Sequence, residues 1–286
     1  MDEFRFVGVV GAGLMGSGIA EVCARSGLDV VISDVDQCAL DAGRSRIERS
    51  LHGAVDRGKL SSVERDQAMA RMHFTADIED HADRQVVIEA IAEDLDLKTS
   101  VFAKLDALAA PEAILASNTS SVPIAKMAAA TSRPQQVIGI HFFNPVPVLK
   151  LVELVPSLLT SDGTVQRARF FAEEQLGKQT ISATDRSGFV VNALLTPYLL
   201  SAIRMVEEGV ASPEDVDSGM VLGCAHPMGP LRLADLVGLD TVKAIADSMY
   251  QEYKEQLYAA PVLLARMVDA GLLGKKTGRG FYEYSS

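Results

Sequence analysis

Short apolar runs alternate with longer segments of helical periodicity through the first two thirds of the chain. Because strands separated by helices pair in parallel and are covered on both faces, this pattern predicts an α/β domain. The predicted strands lie at residues 7–10, 29–34, 85–91, 113–116, 137–143, 149–155 and 179–183. The predicted helices lie at residues 14–26, 37–58, 122–130 and 164–176, and two more begin near residues 61 and 95.

The pattern changes after residue 184, where the strand signal ends. An apolar helix is predicted from Phe189 to about Glu208, and Pro197 is expected to kink it. We therefore divide the chain into an α/β domain at 1–184 and an all-α substrate and dimerisation domain at 185–286. Because so apolar a helix needs more burial than about 100 residues readily supply, we expect a homodimer formed through the helical domain.

The first predicted strand runs into a Gly-x-Gly-x-x-Gly turn that opens a helix. The first glycine permits the sharp turn, the second lets the backbone approach a pyrophosphate, and the third lets the helix pack closely on the strand. An ordinary glycine-rich turn is the alternative. With a helix N-terminus facing the phosphates, the turn predicts a Rossmann-like dinucleotide-binding domain. The cofactor contacts predicted here are Gly11, Gly13, Leu14, Met15 and Gly16.

The second predicted strand ends in Asp34, 18 residues beyond Gly16. The dinucleotide fold places an acid near this spacing to bind the adenosine ribose hydroxyls. Because a carboxylate there repels the extra phosphate of NADP, we expect NAD as the cofactor. The alternative is that Asp34 or Asp36 caps the next helix.

The segment after the second strand predicts two helices, with Ser61 and Glu64 forming a capping box at the start of the second. These helices would be an insertion that overhangs the cofactor site. Their basic residues favour a solvated charged face over a binding surface.

Two later strand ends bear polar residues. Glu93 and Lys98 follow the strand at 85–91 and are candidate cofactor contacts, since ligands collect at the carboxyl ends of parallel strands. The alternative is an acidic helix start with a surface lysine. A polar row of five residues, Ser-Asn-Thr-Ser-Ser at 117–121, follows the next strand. It can cap the predicted helix through Ser120 or Ser121, or present Asn118 and Ser120 to a ligand.

A predicted hairpin carries the candidate chemistry. If it pivots at Pro147, facing residues have numbers that sum to 294, and His141 lies opposite Glu153. Facing Cβ atoms are about 4.5–5.5 Å apart, close enough for a carboxylate to hold an imidazole in one tautomer. We interpret the pair as a base with an orienting acid. A structural His–Glu pair is the alternative.

Composition excludes several other classes of function. The formal net charge of −11 at pH 7 argues against general nucleic-acid binding. Three cysteines lie far apart and outside metal-ligand spacing, so no metal is expected. Neither a signal peptide nor a membrane-spanning run is present, which favours a cytoplasmic protein without membrane association.

Six motifs together resemble the L-3-hydroxyacyl-CoA dehydrogenase family in its stand-alone bacterial form. They occur in the order of the family and run nearly from end to end. The motifs are Gly-Ala-Gly-Leu-Met-Gly at 11–16, Ser-Asn-Thr-Ser-Ser at 117–121, His-Phe-Phe-Asn-Pro at 141–145, Gly-Phe-Val-Val-Asn at 188–192, His-Pro-Met-Gly-Pro-Leu at 226–231 and Lys-Thr-Gly-Arg-Gly-Phe-Tyr at 276–282.

The resemblance implies reversible, NAD-dependent oxidation of the (S)-3-hydroxyl of an acyl-CoA, such as 3-hydroxybutyryl-CoA, a step of fatty-acid metabolism. It also implies roles for individual residues. His141 would be the catalytic base and Glu153 its partner. The other implied contacts are Ser120 and Asn192 to the reacting oxygen and the thioester, Glu93, Lys98, Asn118 and Asn144 around the cofactor, and Ser50 and Arg57 to CoA.

Three positions depart from the family pattern. Ser187 stands where proline is frequent, Ala193 where arginine is frequent, and Arg232 where an acid is frequent. Two other functions remain open at this point. One is a dehydrogenase of a non-CoA hydroxy acid of the sugar-acid type, and the other is a non-catalytic NAD-binding relative.

Overall fold

The computed structural model describes residues 3–284, and the chain divides into two compact units between Arg186 and Ser187. The first unit is built on one sheet, and the second is helical. The predicted α/β domain followed by an all-α domain is confirmed.

The described part of the first unit, residues 3–186, contains eight strands, and the loops that follow four of them gather at one edge of the sheet. The strands are β1 (Phe6–Val10), β2 (Asp29–Ser33), β3 (Met72–Thr75), β4 (Val86–Glu89), β5 (Ile114–Ser117), β6 (Val137–Phe142), β7 (Leu151–Pro156) and β8 (Gln179–Ser182). They form one sheet in the order β3-β2-β1-β4-β5-β6-β7-β8. β1 to β6 are parallel, whereas β7 runs antiparallel to β6, and β8 runs parallel to β7. The carboxyl ends of β1, β4, β5 and β6 therefore share one edge, where ligands of such sheets bind.

Within residues 3–186, six α-helices accompany the sheet, and side-chain caps explain where several begin. They are α1 (Leu14–Arg25), α2 (Gln37–Asp56), α3 (Ser62–Ala70), α4 (Leu95–Leu108), α5 (Ile124–Ala129) and α6 (Asp162–Phe170). Asp36 caps α2 by accepting from the Ala39 amide at 2.8 Å. The predicted capping box of Ser61 and Glu64 opens α3. The two-helix insertion after β2 is thus confirmed.

The strand β3 was not predicted, and its residues show why. Met72 is buried, whereas the other three residues of the strand are partly or fully exposed. The strand lies at the edge of the sheet and pairs with β2 alone. A four-residue edge strand with a single buried side chain carries little of the apolar signal that identifies a strand.

The alternative that Ser120 or Ser121 caps the helix after the polar row is wrong. The helix α5 begins two residues later than expected, after Pro123, without a side-chain cap from its own segment. The carboxylate of Asp185 takes this role, accepting from the amides of Ile124 at 2.7 Å and Ala125 at 2.8 Å. The polar row instead forms hydrogen bonds at the sheet edge, and a cap from about 60 residues away gives no local pattern.

In its described residues, 187–284, the second unit contains five α-helices around its own core. They are α7 (Val191–Glu207), α8 (Pro213–Cys224), α9 (Pro230–Val237), α10 (Leu239–Tyr253) and α11 (Val262–Asp269). Fully buried side chains at Leu200, Ile203 and Leu264 pack in this core, and Pro197 lies inside α7. Among the helices of residues 3–284, none is long and apolar enough to cross a membrane.

Two buried aspartates bind the segment around Phe281 and Tyr282, and the contacts of this segment account for the basic residue at position 232. Asp235 accepts hydrogen bonds from the amides of Phe281 and Tyr282, both at 3.0 Å. Asp217 accepts from the Tyr282 hydroxyl at 2.8 Å and from the Arg232 amide at 3.0 Å. The Arg232 guanidinium lies 4.1 Å from the centroid of the Tyr282 ring. A cation over an aromatic face is stabilising, so the basic residue packs on this tail.

A histidine is buried within the first unit, in the segment between β3 and β4. The His81 ring is fully buried, with Nε2 at 2.7 Å from the Ser33 hydroxyl. It packs so closely on β1 that a Cβ at Gly8 would lie 2.3 Å from its Nδ1 atom. Burial, with Arg84 as a smaller contribution, lowers the pKa of His81 to about 4.

We expect His81 to make the free energy of unfolding pH-dependent. Its pKa is lower in the folded chain than in the unfolded chain, near 6.5. The unfolded chain therefore binds more protons between these values, and stability is lost as pH falls through this window. Between pH 7 and pH 5 the loss from this group is about 2 kcal/mol. Urea unfolding of His81→Gln at both pH values should show a smaller loss by this amount. An identical loss in the two proteins would contradict the assignment.

Candidate active site

The glycine turn after β1 is shaped by close approaches of the backbone. Gly11 has φ +105°, and a Cβ there would lie 2.6 Å from the Ala90 carbonyl oxygen. A Cβ at Gly16 would lie 1.8 Å from the Gly11 carbonyl oxygen, so α1 packs against the turn only with glycine at this position. A Cβ at Gly13 would meet nothing within 4 Å, which leaves open space beside the N-terminus of α1. Leu14 and Met15 form the first turn of that helix. The turn thus has room and N–H groups for a phosphate.

Asp34 lies against this turn. One oxygen of its carboxylate accepts from the Ala12 amide at 2.7 Å, and the other accepts from the Val35 amide at 2.7 Å. The alternative that Asp34 caps the next helix is wrong, because Asp36 caps α2. The Asp34 side chain therefore joins the end of β2 to the turn after β1, beside the space that Gly13 leaves.

A buried ionic cluster joins the carboxyl ends of β4 and β5. Glu89, the last residue of β4, is fully buried, and Lys98 on α4 is 1% exposed. The Lys98 ammonium lies 2.7 Å from Glu89. The Ser117 hydroxyl donates to the same carboxylate at 2.6 Å, and the Ile91 amide donates at 2.8 Å. The alternative of a surface lysine at residue 98 is therefore wrong.

Glu93 extends this cluster toward solvent. Its side chain is 40% exposed and lies 3.2 Å from the Lys98 ammonium. It accepts from the Thr119 hydroxyl at 2.8 Å, the Ser120 amide at 2.7 Å and the Ser120 hydroxyl at 3.2 Å. Glu93 thus holds the loop after β5 and contacts the side chain of Ser120 directly.

Asn118 connects the same loop to the next strand. Its side-chain oxygen accepts from the backbone amide of Phe142 at 2.9 Å, and its backbone amide donates to the Glu89 carbonyl at 2.8 Å. The ends of β4, β5 and β6 are therefore linked through one residue. This link places the polar loop beside the strand that bears His141.

His141 and Glu153 face each other across β6 and β7, as the hairpin predicts. The imidazole Nδ1 lies 2.8 Å from a carboxylate oxygen of Glu153, which is fully buried. Because a carboxylate only accepts hydrogen bonds, Nδ1 bears the proton, and the lone pair of the neutral ring is on Nε2. The Phe143 ring packs on the imidazole, with 4.6 Å between the centroids. This arrangement can accept a proton at Nε2 and stabilise the resulting cation.

The remaining predicted site residues lie elsewhere on the described chain. Asn144 is exposed in the segment that follows β6. Ser50 lies on α2 and is partly buried. Arg57 follows the last residue of α2 and is exposed. Asn192 belongs to the second unit, in the first turn of α7.

Sequence reasoning missed three members of the ionic cluster, Glu89, Ser117 and Thr119. A usable signal was present for Glu89, since it is the single charged residue in the apolar run at 85–91. A charge in a strand covered on both faces needs a partner. Within residues 3–284, no group of three or more histidine, cysteine, aspartate or glutamate side chains could hold a metal ion.

Comparison with known families matches nearly the whole chain. Residues 6–186 match the model described as "3-hydroxyacyl-CoA dehydrogenase, NAD binding domain". Residues 188–284 match the model described as "3-hydroxyacyl-CoA dehydrogenase, C-terminal domain". The first unit is thus the NAD-binding domain, and NAD is confirmed as the cofactor.

Individual relatives agree with this match. The 3-hydroxybutyryl-CoA dehydrogenase of Mycobacterium tuberculosis is 59% identical, over 99% of both chains. A probable 3-hydroxybutyryl-CoA dehydrogenase of Bacillus subtilis is 45% identical, over 99% of this chain and 98% of the relative. The crystal structure of M. tuberculosis FadB2 superposes with a TM-score of 0.98 at 59% identity, covering 99% of this chain and 100% of that one. The (S)-3-hydroxybutyryl-CoA dehydrogenase PaaH1 from Ralstonia eutropha gives a TM-score of 0.92 at 45% identity, with the same coverage. The resemblance found in the motifs is confirmed, and the chain belongs to the 3-hydroxyacyl-CoA dehydrogenase family.

Proposed function

We propose that the protein catalyses the reversible NAD-dependent oxidation of (S)-3-hydroxybutyryl-CoA to the 3-ketoacyl-CoA. The observation that carries this proposal is the His141–Glu153 pair, with 2.8 Å between Nδ1 and the carboxylate, on strands of an NAD-binding domain. The substrate follows from the names of relatives that match over nearly their full length. A protein that only bound NAD would have no use for a paired base.

His141 and Glu153 handle the proton of the reaction. In oxidation, Nε2 of His141 accepts the proton of the 3-hydroxyl, and the imidazolium that forms is stabilised by Glu153. In reduction, the imidazolium returns a proton to the 3-keto oxygen. Bound NAD supplies the hydride acceptor. The open space beside Gly13 and the carboxylate of Asp34 fit its pyrophosphate and its adenosine ribose.

Ser120 and Asn192 are the residues that we assign to the reacting oxygen and the thioester. Support for Ser120 comes from its position in the loop after β5, where Glu93 accepts from both its amide and its hydroxyl. Lys98 is buried beneath this loop. Its role at the cofactor is therefore indirect, through its contact with Glu93. Asn118 has the same kind of supporting role, since it joins the loop to β6.

We also propose that the protein is a cytoplasmic homodimer formed through the helical unit. Support comes from the exposed apolar side chains of that unit, Leu194 on α7 at 73% and Leu222 on α8 at 84%. Burying such side chains against a second copy is favourable. Light scattering that finds a stable monomer at micromolar concentration would contradict the dimer.

The proposed function predicts a specific substrate profile. We expect NADH to form, measured by absorbance at 340 nm, with (S)-3-hydroxybutyryl-CoA and not with free 3-hydroxybutyrate or gulonate. Turnover of gulonate would instead favour a sugar-acid dehydrogenase. Absence of turnover with all three, despite measurable NADH binding, would favour a non-catalytic protein.

Replacement of His141 tests the base. We expect His141→Gln to lower kcat about 10³-fold or more, because general acid–base catalysis contributes about 10²–10⁴-fold. The Kd of NADH, measured by fluorescence titration, should change little, because the imidazole handles the substrate proton. A loss of NADH affinity as large as the loss of rate would refute this role.

Replacement of Asp34 tests the choice of cofactor. We expect Asp34→Asn to weaken NAD more than NADP, because it removes the charge that repels the extra phosphate and keeps an acceptor for Ala12. The ratio of kcat/KM for the two cofactors measures this effect. Asp36→Ala is the matched control, since it removes the cap of α2 at a cost of about 1 kcal/mol in stability. A change of cofactor preference in the control, or none in Asp34→Asn, would refute the ribose role.

A further inference from the structure

Arg46 is a partly buried arginine on α2 whose side chain contacts the glycine turn after β1. Its guanidinium Nη1 donates to the carbonyl of Ala12 at 2.9 Å and to the hydroxyl of Ser17 at 3.2 Å. The hydroxyl of Ser17, which is 2% exposed, also donates to the Ala12 carbonyl, at 2.8 Å. The carbonyl oxygen of one residue in the turn therefore receives two donors, and one of them belongs to a cation.

The backbone of α2 lies close enough to the turn to permit this contact. A Cβ at Gly43 would lie 2.7 Å from the Cβ of Ala12 and 2.8 Å from its carbonyl oxygen. Gly43 and Arg46 are three residues apart on one helix, so they share a face. Glycine at position 43 thus lets α2 approach the turn, and the arginine reaches the Ala12 carbonyl from the same face.

The other side of the same peptide group is open. The Ala12–Gly13 bond is trans, so its N–H points away from the carbonyl that Arg46 contacts. Within residues 3–284, this N–H donates to no acceptor, and Gly13 is exposed at the N-terminus of α1. Hydrogen bonds that follow one another in a chain polarise one another. A cation on the carbonyl therefore makes the Gly13 N–H a stronger donor toward an anion.

The charge of Arg46 is not neutralised inside the protein. It forms no ion pair with a carboxylate in the part of the chain that the structure describes. A guanidinium has five N–H donors, and both hydrogen bonds of Arg46 use Nη1. Positive charge with spare donors therefore lies behind the turn, in a chain whose formal net charge of −11 otherwise repels anions.

We propose that Arg46 is a positioning residue for the dinucleotide and acts through the Ala12–Gly13 peptide to strengthen the binding of its pyrophosphate. The hydrogen bond to Ala12 fixes the carbonyl and polarises the amide of Gly13. The unpaired charge attracts the phosphates across the turn. This role differs from that of Asp34, whose proposed partner is the adenosine ribose. It depends on NAD binding by the first unit and not on the substrate proposed above.

Binding of three ligands to Arg46→Met tests this role. Methionine keeps an unbranched side chain and removes the charge and the donors. We expect the Kd of NADH, measured by fluorescence titration without substrate, to rise about tenfold. The Kd of ADP, measured by competition with NADH, should rise by the same factor. Adenosine has no phosphate and should keep its wild-type Kd.

Arg49→Met is the matched control. Arg49 is an exposed arginine on the same helix, and it makes no hydrogen bond or ion pair with the other residues of 3–284. The Kd values of all three ligands should therefore equal those of the wild-type protein.

The ligand series separates the proposed role from a purely structural one. If Arg46 only supported the packing of α2, adenosine would lose affinity together with NADH and ADP, and this result would overturn the proposal. An unchanged Kd of NADH in Arg46→Met would overturn it as well.

The salt dependence of NADH binding is a second readout. Salt screens the attraction between charges, so the rise in the Kd of NADH from low to high KCl should be smaller in Arg46→Met than in the wild type and in Arg49→Met. An equal rise in all three proteins would contradict an action of this charge on the phosphates. None of these measurements involves turnover, so their outcome is independent of the assay that tests the proposed function.

Discussion

The buried carboxylate of Glu89 is the constraint on which the candidate-site edge of the sheet depends. An ionised side chain without solvent is costly unless it is paired and fully hydrogen-bonded. Glu89 meets this condition with Lys98, Ser117 and the Ile91 amide, which come from α4, β5 and the loop after β4. These three elements are held together because one carboxylate needs all of them. Loss of a single partner would leave a buried charge uncompensated, so the cluster favours one arrangement of the loops that carry Glu93 and Ser120.

The parts of the site that were predictable from the sequence depend on local geometry. The glycine turn is defined within six residues, and the facing of His141 and Glu153 follows from alternation about one turn. Lys98 was harder to interpret because lysine is rarely buried, and its partners are nine residues away at Glu89 and five at Glu93. The cap of α5 by Asp185 is a tertiary contact. Such contacts have no periodicity by which a sequence could reveal them.

A basic cleft on the first unit shows the same limit more strongly; its five basic residues are Arg25, Lys59, Arg71, Lys150 and Lys178. Its charged residues come from positions between 25 and 178, and no two of the five are neighbours in sequence. In the sequence, Lys59 looked like part of a solvated helical face. Only the packing of α1 against α3, with the segment at 147–150 held down by Lys178, brings these charges to one place. A charge that looks solvated in a sequence therefore has to be judged by what folds next to it.

The His141–Glu153 pair lies on two strands rather than on loops, and this placement has two physical consequences. Neighbouring strands in register hold two facing side chains within a narrow range of distances, so the imidazole is held in one orientation against the carboxylate. The full burial of Glu153 adds an electrostatic effect. Charges interact more strongly where water is excluded, so under the proposed function an imidazolium formed at His141 would meet an anion already in place. Had Glu153 been exposed, solvent would have screened this attraction and the carboxylate would have had to reorient in each cycle. If the pair moves the proton as proposed, its rigidity and its burial both lower the cost of that step, and the sheet supplies both properties at once.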